Sequence, residues 1–292
     1  MNGKNLNHSK IMVVFAVDRK EVLFVYTTKF INKKEKWIMQ EKEHEYYEII
    51  GNWNFDDIKC DTVKITDWDF YEKIKENTNK NSLCLDLGTG GGEKVLQKYP
   101  NVGMIIATDI SKSMIKTAKE NAKEYPDKKI KFAQMNNLQM TFPKGLFDLI
   151  SARHTIINAK EIFECLSDEG ILIIEGIDKM DCIEIKQIFK RGQAYNDKIS
   201  ISEQDYNDLI NAGFSRIEKV EILEDEYYQT EDDLMALLLK TPILNDFSKV
   251  NNEKIEDKDR VEKDLFEEYV KKYKTERGIL LKRRLYGIVA KK

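Results

Sequence analysis

The chain has 292 residues, of which 48 are basic and 51 acidic, so its formal net charge is −3 at pH 7. A hydrophobic content of 41% with 13 Phe, 13 Tyr and 3 Trp excludes an intrinsically disordered chain. The apolar run over residues 11–17 is too short to cross a bilayer, and we expect no contact with a membrane.

The cellular setting follows from what the sequence lacks. No secretion-signal pattern opens it, and the four cysteines are scattered without a C-x-x-C pair. We therefore expect a cytoplasmic protein with neither a disulfide framework nor a metal site. The balanced net charge does not indicate a nucleic-acid partner, although it is compatible with a local basic face.

The N-terminal part is rich in β-forming residues. Residues 11–17 and 22–26 are β-branched and aromatic runs separated by a polar stretch, which predicts a hairpin or small sheet. Residues 40–62 are acidic and aromatic without clear periodicity. We place a domain junction near residue 60, between an N-terminal β-rich extension (1–60) and a second domain (61–292).

From residue 66 onward, helical and extended patterns alternate. Helices are predicted at 68–76, at 111–122 and at 159–166, and a further short helix follows the glycine loop and ends near residue 100. Strands are predicted at 82–87, 104–108, 130–133, 147–151 and 171–175. This order predicts an α/β fold with a doubly wound, Rossmann-like sheet that binds its ligand at the carboxyl ends of the strands.

The last part of the pattern contains a long interruption. A helix at 206–212 and a strand at 217–223 precede a final strand at 284–290. The residues between these strands, 224–283, are predicted to form a helical insertion with an apolar helix at 234–239 and a charged one at 258–274. An insertion at this point of the fold can stand over the mouth of an active site.

The glycine loop after residue 87 indicates a nucleotide-type cofactor, and two cofactor classes compete for it. In the dinucleotide fingerprint G-x-G-x-x-G, counting from Gly88 and Gly90 places the third glycine where this chain has Glu93. A carboxylate disfavours a pyrophosphate at a helix N-terminus. A cofactor with a sulfonium and an ammonium group carries no phosphate to repel.

The D-x-G-x-G-x-G spacing at Asp86, Gly88, Gly90 and Gly92 resembles the first motif of class I S-adenosylmethionine-dependent methyltransferases. The resemblance covers residues 66–223 and the last strand. It implies a methyltransferase sheet, S-adenosylmethionine as the cofactor, and a position for Asp86 near the methionyl end of that cofactor.

The same resemblance assigns further residues to the cofactor. Asp109, 23 positions after Asp86, ends the second strand of the pattern, where the family's acidic residue binds both ribose hydroxyls. Its neighbour Ile110 is also expected at the cofactor. Asn136 and Asn137 lie in a stretch similar to the family's adenine-binding segment, where Asn136 replaces the usual aspartate and accepts without charge assistance.

Two candidate catalytic residues follow the strand at 147–151. The resemblance places this position beside the transferred methyl group. A neutral imidazole at His154 can take a proton from the acceptor, or His154 is a hydrogen-bonded structural residue. Arg153 either binds an acidic substrate group or pairs with a neighbouring carboxylate.

We expect methyl transfer to oxygen or nitrogen of a small or medium-sized molecule. The [D/N/S]-P-P-aromatic motif of DNA amino-group methylation and a Pro-Cys nucleophile are both absent from the sequence. Two alternatives stay open. One is an RNA-modifying methyltransferase that uses the N-terminal sheet and a Lys282 to Arg284 phosphate patch; the other is a non-catalytic S-adenosylmethionine-binding protein. The oligomeric state stays undetermined.

Overall fold

A computed structural model describes residue 55 and residues 57–245 and 261–292. The strands are β1 (Cys60–Lys64), β2 (Leu83–Leu87), β3 (Met104–Asp109), β4 (Ile130–Gln134), β5 (Phe147–Arg153), β6 (Leu166–Ile177), β7 (Arg216–Tyr228), β8 (Lys274–Thr275) and β9 (Gly278–Lys291). The α-helices are α1 (Phe70–Glu76), α2 (Glu93–Lys98), α3 (Lys112–Asn121), α4 (Ala159–Cys165), α5 (Ile183–Phe189), α6 (Ile201–Ala212), α7 (Glu231–Lys240) and α8 (Lys263–Tyr273). The predicted N-terminal strands lie outside the described residues.

These strands form one sheet in the order β1-β7-β9-β6-β5-β2-β3-β4, with β8 paired to β9. Strands β4, β3, β2, β5 and β6 are parallel neighbours, whereas β9 runs antiparallel to both β6 and β7. Strand β2 is buried on both faces from Cys84 onward, because helices cover the sheet on either side. The predicted doubly wound α/β sheet is confirmed.

Local signals fix where the helices begin. The Ser111 hydroxyl accepts a hydrogen bond from the Met114 N–H at 3.1 Å, and α3 then buries Met114, Ile115 and Ala118 on one face. Asp69 caps α1 by accepting from the Tyr71 N–H at 2.9 Å. The first predicted helix therefore starts at Phe70, because Asp69 is its extended N-cap residue.

Strands β7 and β9 are longer than the sequence pattern predicts. Their pairing runs from Arg216 opposite Lys291 to Tyr228 opposite Ile279. The predicted limits of the insertion, 224 and 283, therefore lie within paired strands, and the segment between the strands is 229–277. Opposite charges face each other across this part of the ladder, at Glu224 and Arg283, and such cross-strand pairs stabilise a sheet.

The extended ends of β7 and β9 form an arm that continues past the last β6 pair, Ile177 opposite Leu285. A second apolar cluster surrounds this arm. It combines residues of α5, α7 and α8 with Tyr228, Ile279 and Leu281, and Phe55 packs against it. The insertion thus shares a small core with α5 and the arm beside the carboxyl edge of the sheet.

The arm also removes one predicted feature. The Lys282 to Arg284 cluster is not an unpaired basic patch, because Arg283 is buried against Asp181 (2.9 Å) and Glu226 (3.1 Å). Arg284 pairs with Glu184 at 2.7 Å. These cations neutralise carboxylates within the protein. Within the described ranges, none of the helices has the length and apolar character needed to span a membrane.

Candidate active site

A cavity opens at the carboxyl ends of β2, β3 and β5. Parallel strands bring their carboxyl ends to one edge, so residues far apart in sequence meet there. Its lining comprises Phe55, Tyr71, Asp86, Gly88, Thr89, Gly90, Gly91, Glu93, Lys94, Val95, Asp109, Ile110, Met114, Asn137, Arg153, His154, Thr155 and Ile156. Phe55 also packs against the second apolar cluster, so it connects that cluster to the cavity.

The glycine loop forms one wall of this cavity. Gly90 has a φ of +58°, a left-handed conformation that favours glycine, and a Cβ added to it would meet no atom within 4 Å. A Cβ added to Gly88 would instead lie 2.6 Å from the Thr155 Cβ. Gly88 therefore allows the loop to approach Thr155, and Gly90 presents bare backbone to the open space of the cavity.

Asp109 holds the glycine loop and the start of α3 in place. Its Oδ2 accepts a hydrogen bond from the Gly90 N–H at 2.9 Å, and its Oδ1 accepts from the Ser111 N–H at 2.9 Å. A carboxylate has about four acceptor sites. These two backbone bonds orient the carboxylate at the cavity wall, beside the open face of Gly90.

Asp86 is a buried carboxylate at the end of β2. Its Oδ1 accepts a hydrogen bond from the Ser151 hydroxyl at 2.8 Å. Burial raises its pKa to about 6, against a usual 3.8, although the hydrogen bond from Ser151 opposes that rise. A cation placed beside this carboxylate would relieve the cost of keeping it ionised.

Arg153 and His154 lie at the end of β5, where both contact Glu175 of β6. The Arg153 Nε donates to Glu175 Oε1 at 2.7 Å, and the His154 Nε2 lies 3.2 Å from the same oxygen without hydrogen-bond geometry. Burial opposes ionisation of Glu175, but Arg153 and His154 outweigh it and lower its pKa to about 2. Burial and the neighbouring Arg153 lower the pKa of His154, which is therefore neutral at pH 7.

The backbone supports the unusual position of His154. This residue has a φ of +51°, which is uncommon for a residue with a side chain. Its N–H donates to the Glu175 backbone oxygen at 2.8 Å, which continues the β5–β6 ladder by one residue. The chain turns directly after this bond, and the imidazole lines the cavity.

The structure separates the two predicted adenine-segment residues. The Asn136 side-chain oxygen accepts from the Leu138 N–H at 2.7 Å, and Asn136 is not among the described residues that line the cavity. Asn137 is buried and lines it. The Asn137 Nδ2 donates to Thr155 at 3.0 Å, whereas its Oδ1 has no hydrogen-bond partner within the described part of the chain.

The remaining predicted residues divide in a similar way. Asp86, Gly88, Gly90, Asp109, Ile110, Arg153 and His154 all line the cavity. Gly92 lies behind the loop instead, as the N-cap of α2, where an added Cβ would lie 3.1 Å from the Ala118 Cβ. Its role in the structure is to allow α2 to pack closely on α3.

Several residues at the site were not predicted from the sequence, among them Phe55 and Tyr71 of the lining and Glu175, which contacts Arg153. Glu175 carried a usable signal, since it follows an apolar strand run in the same way as Asp86 does. Tyr71 lies on α1, a helix that the pattern predicted without a role at the site. Phe55 precedes the sheet in a stretch without periodicity, so no local signal indicated its position.

The expected cofactor fits this arrangement. Bare backbone at Gly90 leaves room beside Asp109, whose two oxygens suit a vicinal diol, and the unpaired Asn137 oxygen can accept from an amino group. The buried Asp86 suits a positive charge. A diphosphate would bring negative charge next to three carboxylates, those of Asp86, Glu93 and Asp109, which outnumber the one lining cation on that wall, Lys94.

Comparisons with known proteins agree with this interpretation. A family model described as a methyltransferase domain matches residues 78–235, more than half of the chain. Demethylmenaquinone methyltransferase from Lactococcus lactis is 32% identical over 99 residues, a match that covers 30% of this chain and only 39% of that relative.

A solved structure at low sequence identity shows the same fold. A functionally unknown protein from Deinococcus radiodurans has a TM-score of 0.50 and 14% identity, with 86% of this chain and 98% of that one covered. Phosphoethanolamine N-methyltransferase 2 from Haemonchus contortus, solved with phosphomonomethylethanolamine and S-adenosylhomocysteine, has a TM-score of 0.47 and 16% identity over 93% of this chain and 62% of that one. With its sheet order, glycine loop and matched family model, the chain belongs to the class I S-adenosylmethionine-dependent methyltransferases.

Proposed function

We propose that this enzyme methylates an oxygen or nitrogen atom of a small or medium-sized molecule bound in the cavity. The observation that carries the proposal is that the open face of Gly90, the carboxylates of Asp86 and Asp109, and a neutral imidazole at His154 share one cavity. The groups proposed to bind the cofactor and to accept a proton therefore line one cavity.

Each residue has a proposed task. Asp109 binds the ribose hydroxyls of S-adenosylmethionine, Asp86 lies at its methionyl end, and Asn137 accepts from the adenine amino group. When bound, this cofactor supplies a methyl group that its sulfonium makes electrophilic. The chain then has to align the acceptor and exclude water, which are the main contributions of a protein to such a displacement.

His154 is the proposed proton acceptor for a hydroxyl or amine. Its buried Nε2 lies 3.2 Å from the ionised Glu175 Oε1, which favours the proton of the neutral ring on Nε2 and leaves the lone pair on Nδ1; the lowered pKa of His154 keeps the ring neutral at pH 7. A neutral imidazole with an available nitrogen can take the proton that the acceptor loses. Phe55 and Tyr71 line the same cavity and limit the entry of water.

The cofactor site is tested by a pair of matched glycine variants. Gly90 and Gly145 both have a positive φ, +58° and +67°, and an added Cβ meets no atom within 4 Å at either position. The backbone cost of alanine in this conformation is about 1–2 kcal/mol at both. We expect Gly90→Ala to weaken S-adenosylhomocysteine binding at least tenfold in calorimetry, because its methyl group occupies the cavity, and Gly145→Ala to bind as the wild type does.

The comparison has a clear opposite outcome. If both variants bind S-adenosylhomocysteine equally well, the open face of Gly90 is not the cofactor surface and the proposed function fails. Equal thermal unfolding of the two variants is the control, because it shows that the added methyl groups disturb the fold to the same degree.

A further inference from the structure

The guanidinium of Arg153 is held in a way that leaves one of its edges available in the cavity. Its Nε donates to Glu175 Oε1 at 2.7 Å, and no described residue accepts a hydrogen bond from its Nη1 or Nη2. The side chain is 36% exposed and lines the cavity. Glu175 therefore orients Arg153 and leaves two parallel N–H donors, the geometry that binds a carboxylate with two hydrogen bonds.

The position of Arg153 along the sheet edge separates it from the proposed ribose site. Along the strand order β3-β2-β5-β6, Asp109 and Arg153 are the last residues of β3 and β5, Asp86 is the penultimate residue of β2, and Glu175 of β6 pairs with Arg153. Adjacent strands lie about 4.8 Å apart, so Arg153 lies roughly 10 Å from Asp109 in the plane of the sheet. It is on the far side of Asp86 and next to His154, where the acceptor is expected.

The charges around the cavity are unevenly distributed. Three carboxylates, those of Asp86, Glu93 and Asp109, and one cation, Lys94, lie on the side of the glycine loop, whereas Arg153 is the lining cation beside His154. Glu175 already neutralises part of that positive charge. One partly compensated arginine suits a monoanion, whereas a phosphate dianion would be repelled by Glu175 and Asp86.

We propose that the methyl acceptor carries a carboxylate, and that the Nη1 and Nη2 groups of Arg153 bind it. This inference rests on the proposed function, since it assigns the acceptor end of the same cavity. Glu175 is a positioning residue in this arrangement: it holds Arg153 by its side chain and His154 by its backbone oxygen. The carboxylate would place the acceptor's reacting atom beside the imidazole.

Calorimetry on the full chain saturated with S-adenosylhomocysteine tests the proposal. The probes are acetate, propionate and benzoate, each compared with its uncharged amide. We expect at least one carboxylate to bind at least tenfold more tightly than its amide. Arg153→Gln should reduce that preference to less than twofold, and Arg153→Lys, which keeps the charge opposite Glu175 but loses the paired donors, should give an intermediate value.

The matched control is Arg216→Gln, which removes an exposed arginine of β7 outside the cavity. This control should keep the full preference for the carboxylate. If none of the three carboxylates binds more tightly than its amide, or if the preference survives Arg153→Gln, the proposal is overturned. The Arg153→Lys variant and the wild-type comparison remain informative if Arg153→Gln fails to fold.

A further binding experiment decides whether Arg153 binds a carboxylate of the methyl acceptor or the carboxylate of the cofactor's own amino-acid part. 5′-Methylthioadenosine lacks the amino-acid part of S-adenosylhomocysteine. If Arg153→Gln weakens S-adenosylhomocysteine but not methylthioadenosine, Arg153 binds the cofactor's own carboxylate and the proposal is wrong. If wild-type protein binds neither nucleoside, the proposed function itself fails, which is a different result from a missing carboxylate preference.

Discussion

The ionised Asp86 carboxylate is expected to destabilise the cofactor-free protein and to stabilise the complex with the cofactor. Burial raises its pKa to about 6. A raised carboxyl pKa means that the folded protein holds its proton more tightly than the unfolded chain does. The free energy of unfolding therefore falls as the pH rises from about 4 to 6, and the ionised carboxylate destabilises the cofactor-free protein at pH 7.

We predict that Asp86→Asn stabilises the cofactor-free protein and impairs cofactor binding. The variant removes a buried charge and retains an acceptor for Ser151, so the free energy of unfolding at pH 7 should rise by as much as about 3 kcal/mol. Binding of S-adenosylmethionine, which carries the sulfonium, should weaken more than binding of S-adenosylhomocysteine. Urea unfolding and calorimetry measure the two effects; a destabilised variant with unchanged affinities would contradict this account of Asp86.

His154 should titrate below the usual range of a histidine. Burial and Arg153 both favour the neutral ring, so its pKa in the folded protein lies below 6.5. When the imidazole proton resonances are followed by NMR from pH 8 to 5, one histidine resonance should titrate with a depressed pKa. That resonance should be absent from the spectrum of His154→Gln. The stability that depends on this neutral ring should be lost as the pH falls below 6.5. A His154 pKa above 6.5 would argue against its role as a base.

The sequence predicted residues that adjoin a motif and missed those that depend on strand pairing. Asp86 and Asp109 end strands on either side of the glycine loop, so local pattern and family resemblance were enough to identify them. Glu175 reaches the site because β5 and β6 place Arg153 opposite it, a contact between residues 22 positions apart. No local pattern encodes which strands become neighbours.

The β7–β9 arm depends on a buried ion cluster. Arg283 donates from Nε and Nη2 to both oxygens of Asp181, at 2.9 and 3.1 Å, and from Nη1 to Glu226. Burial opposes ionisation of Asp181, but Arg283 outweighs it and lowers its pKa. The stability that this pair contributes is present above the usual carboxyl pKa and is lost as the pH falls through the lowered value.

We predict that Asp181→Ala lowers the free energy of unfolding by about 3–5 kcal/mol, because it leaves Arg283 buried without its main counter-ion. The matched control is Glu267→Ala, which breaks an exposed pair with Lys263 on α8 and should have little effect. Urea unfolding at pH 7 measures both. Equal effects of the two substitutions would show that the buried cluster does not stabilise the arm.

The arm also shows why element limits were harder to predict than elements. Charged residues such as Glu224 and Arg283 interrupt the apolar alternation, and a local pattern assigns them to a loop. In the structure they lie opposite each other in the ladder, so pairing with a distant strand continues the sheet.

At the scale of the whole molecule, the alternation of helices and strands was sufficient to predict the doubly wound sheet and the position of the site at its carboxyl edge. Parallel strands bring their carboxyl ends together whatever the details of packing. The second apolar cluster was not predicted as a separate core, because its members are distant in the sequence. Helix α5 precedes β7, whereas α7 and α8 lie between β7 and β9. It contributes Phe55 to the cavity, so the insertion affects the site indirectly.

In the proposed complex, S-adenosylmethionine binds between the glycine loop and Asp109, with the acceptor beyond Asp86. Diffraction from crystals soaked with S-adenosylhomocysteine is the sharpest test of this arrangement. We expect the ribose hydroxyls on the Asp109 carboxylate, the nucleoside against the bare face of Gly90, and the sulfur on the side of Asp86 that faces His154. A nucleoside bound elsewhere on the chain, or one in this cavity with its ribose turned away from Asp109, would contradict it.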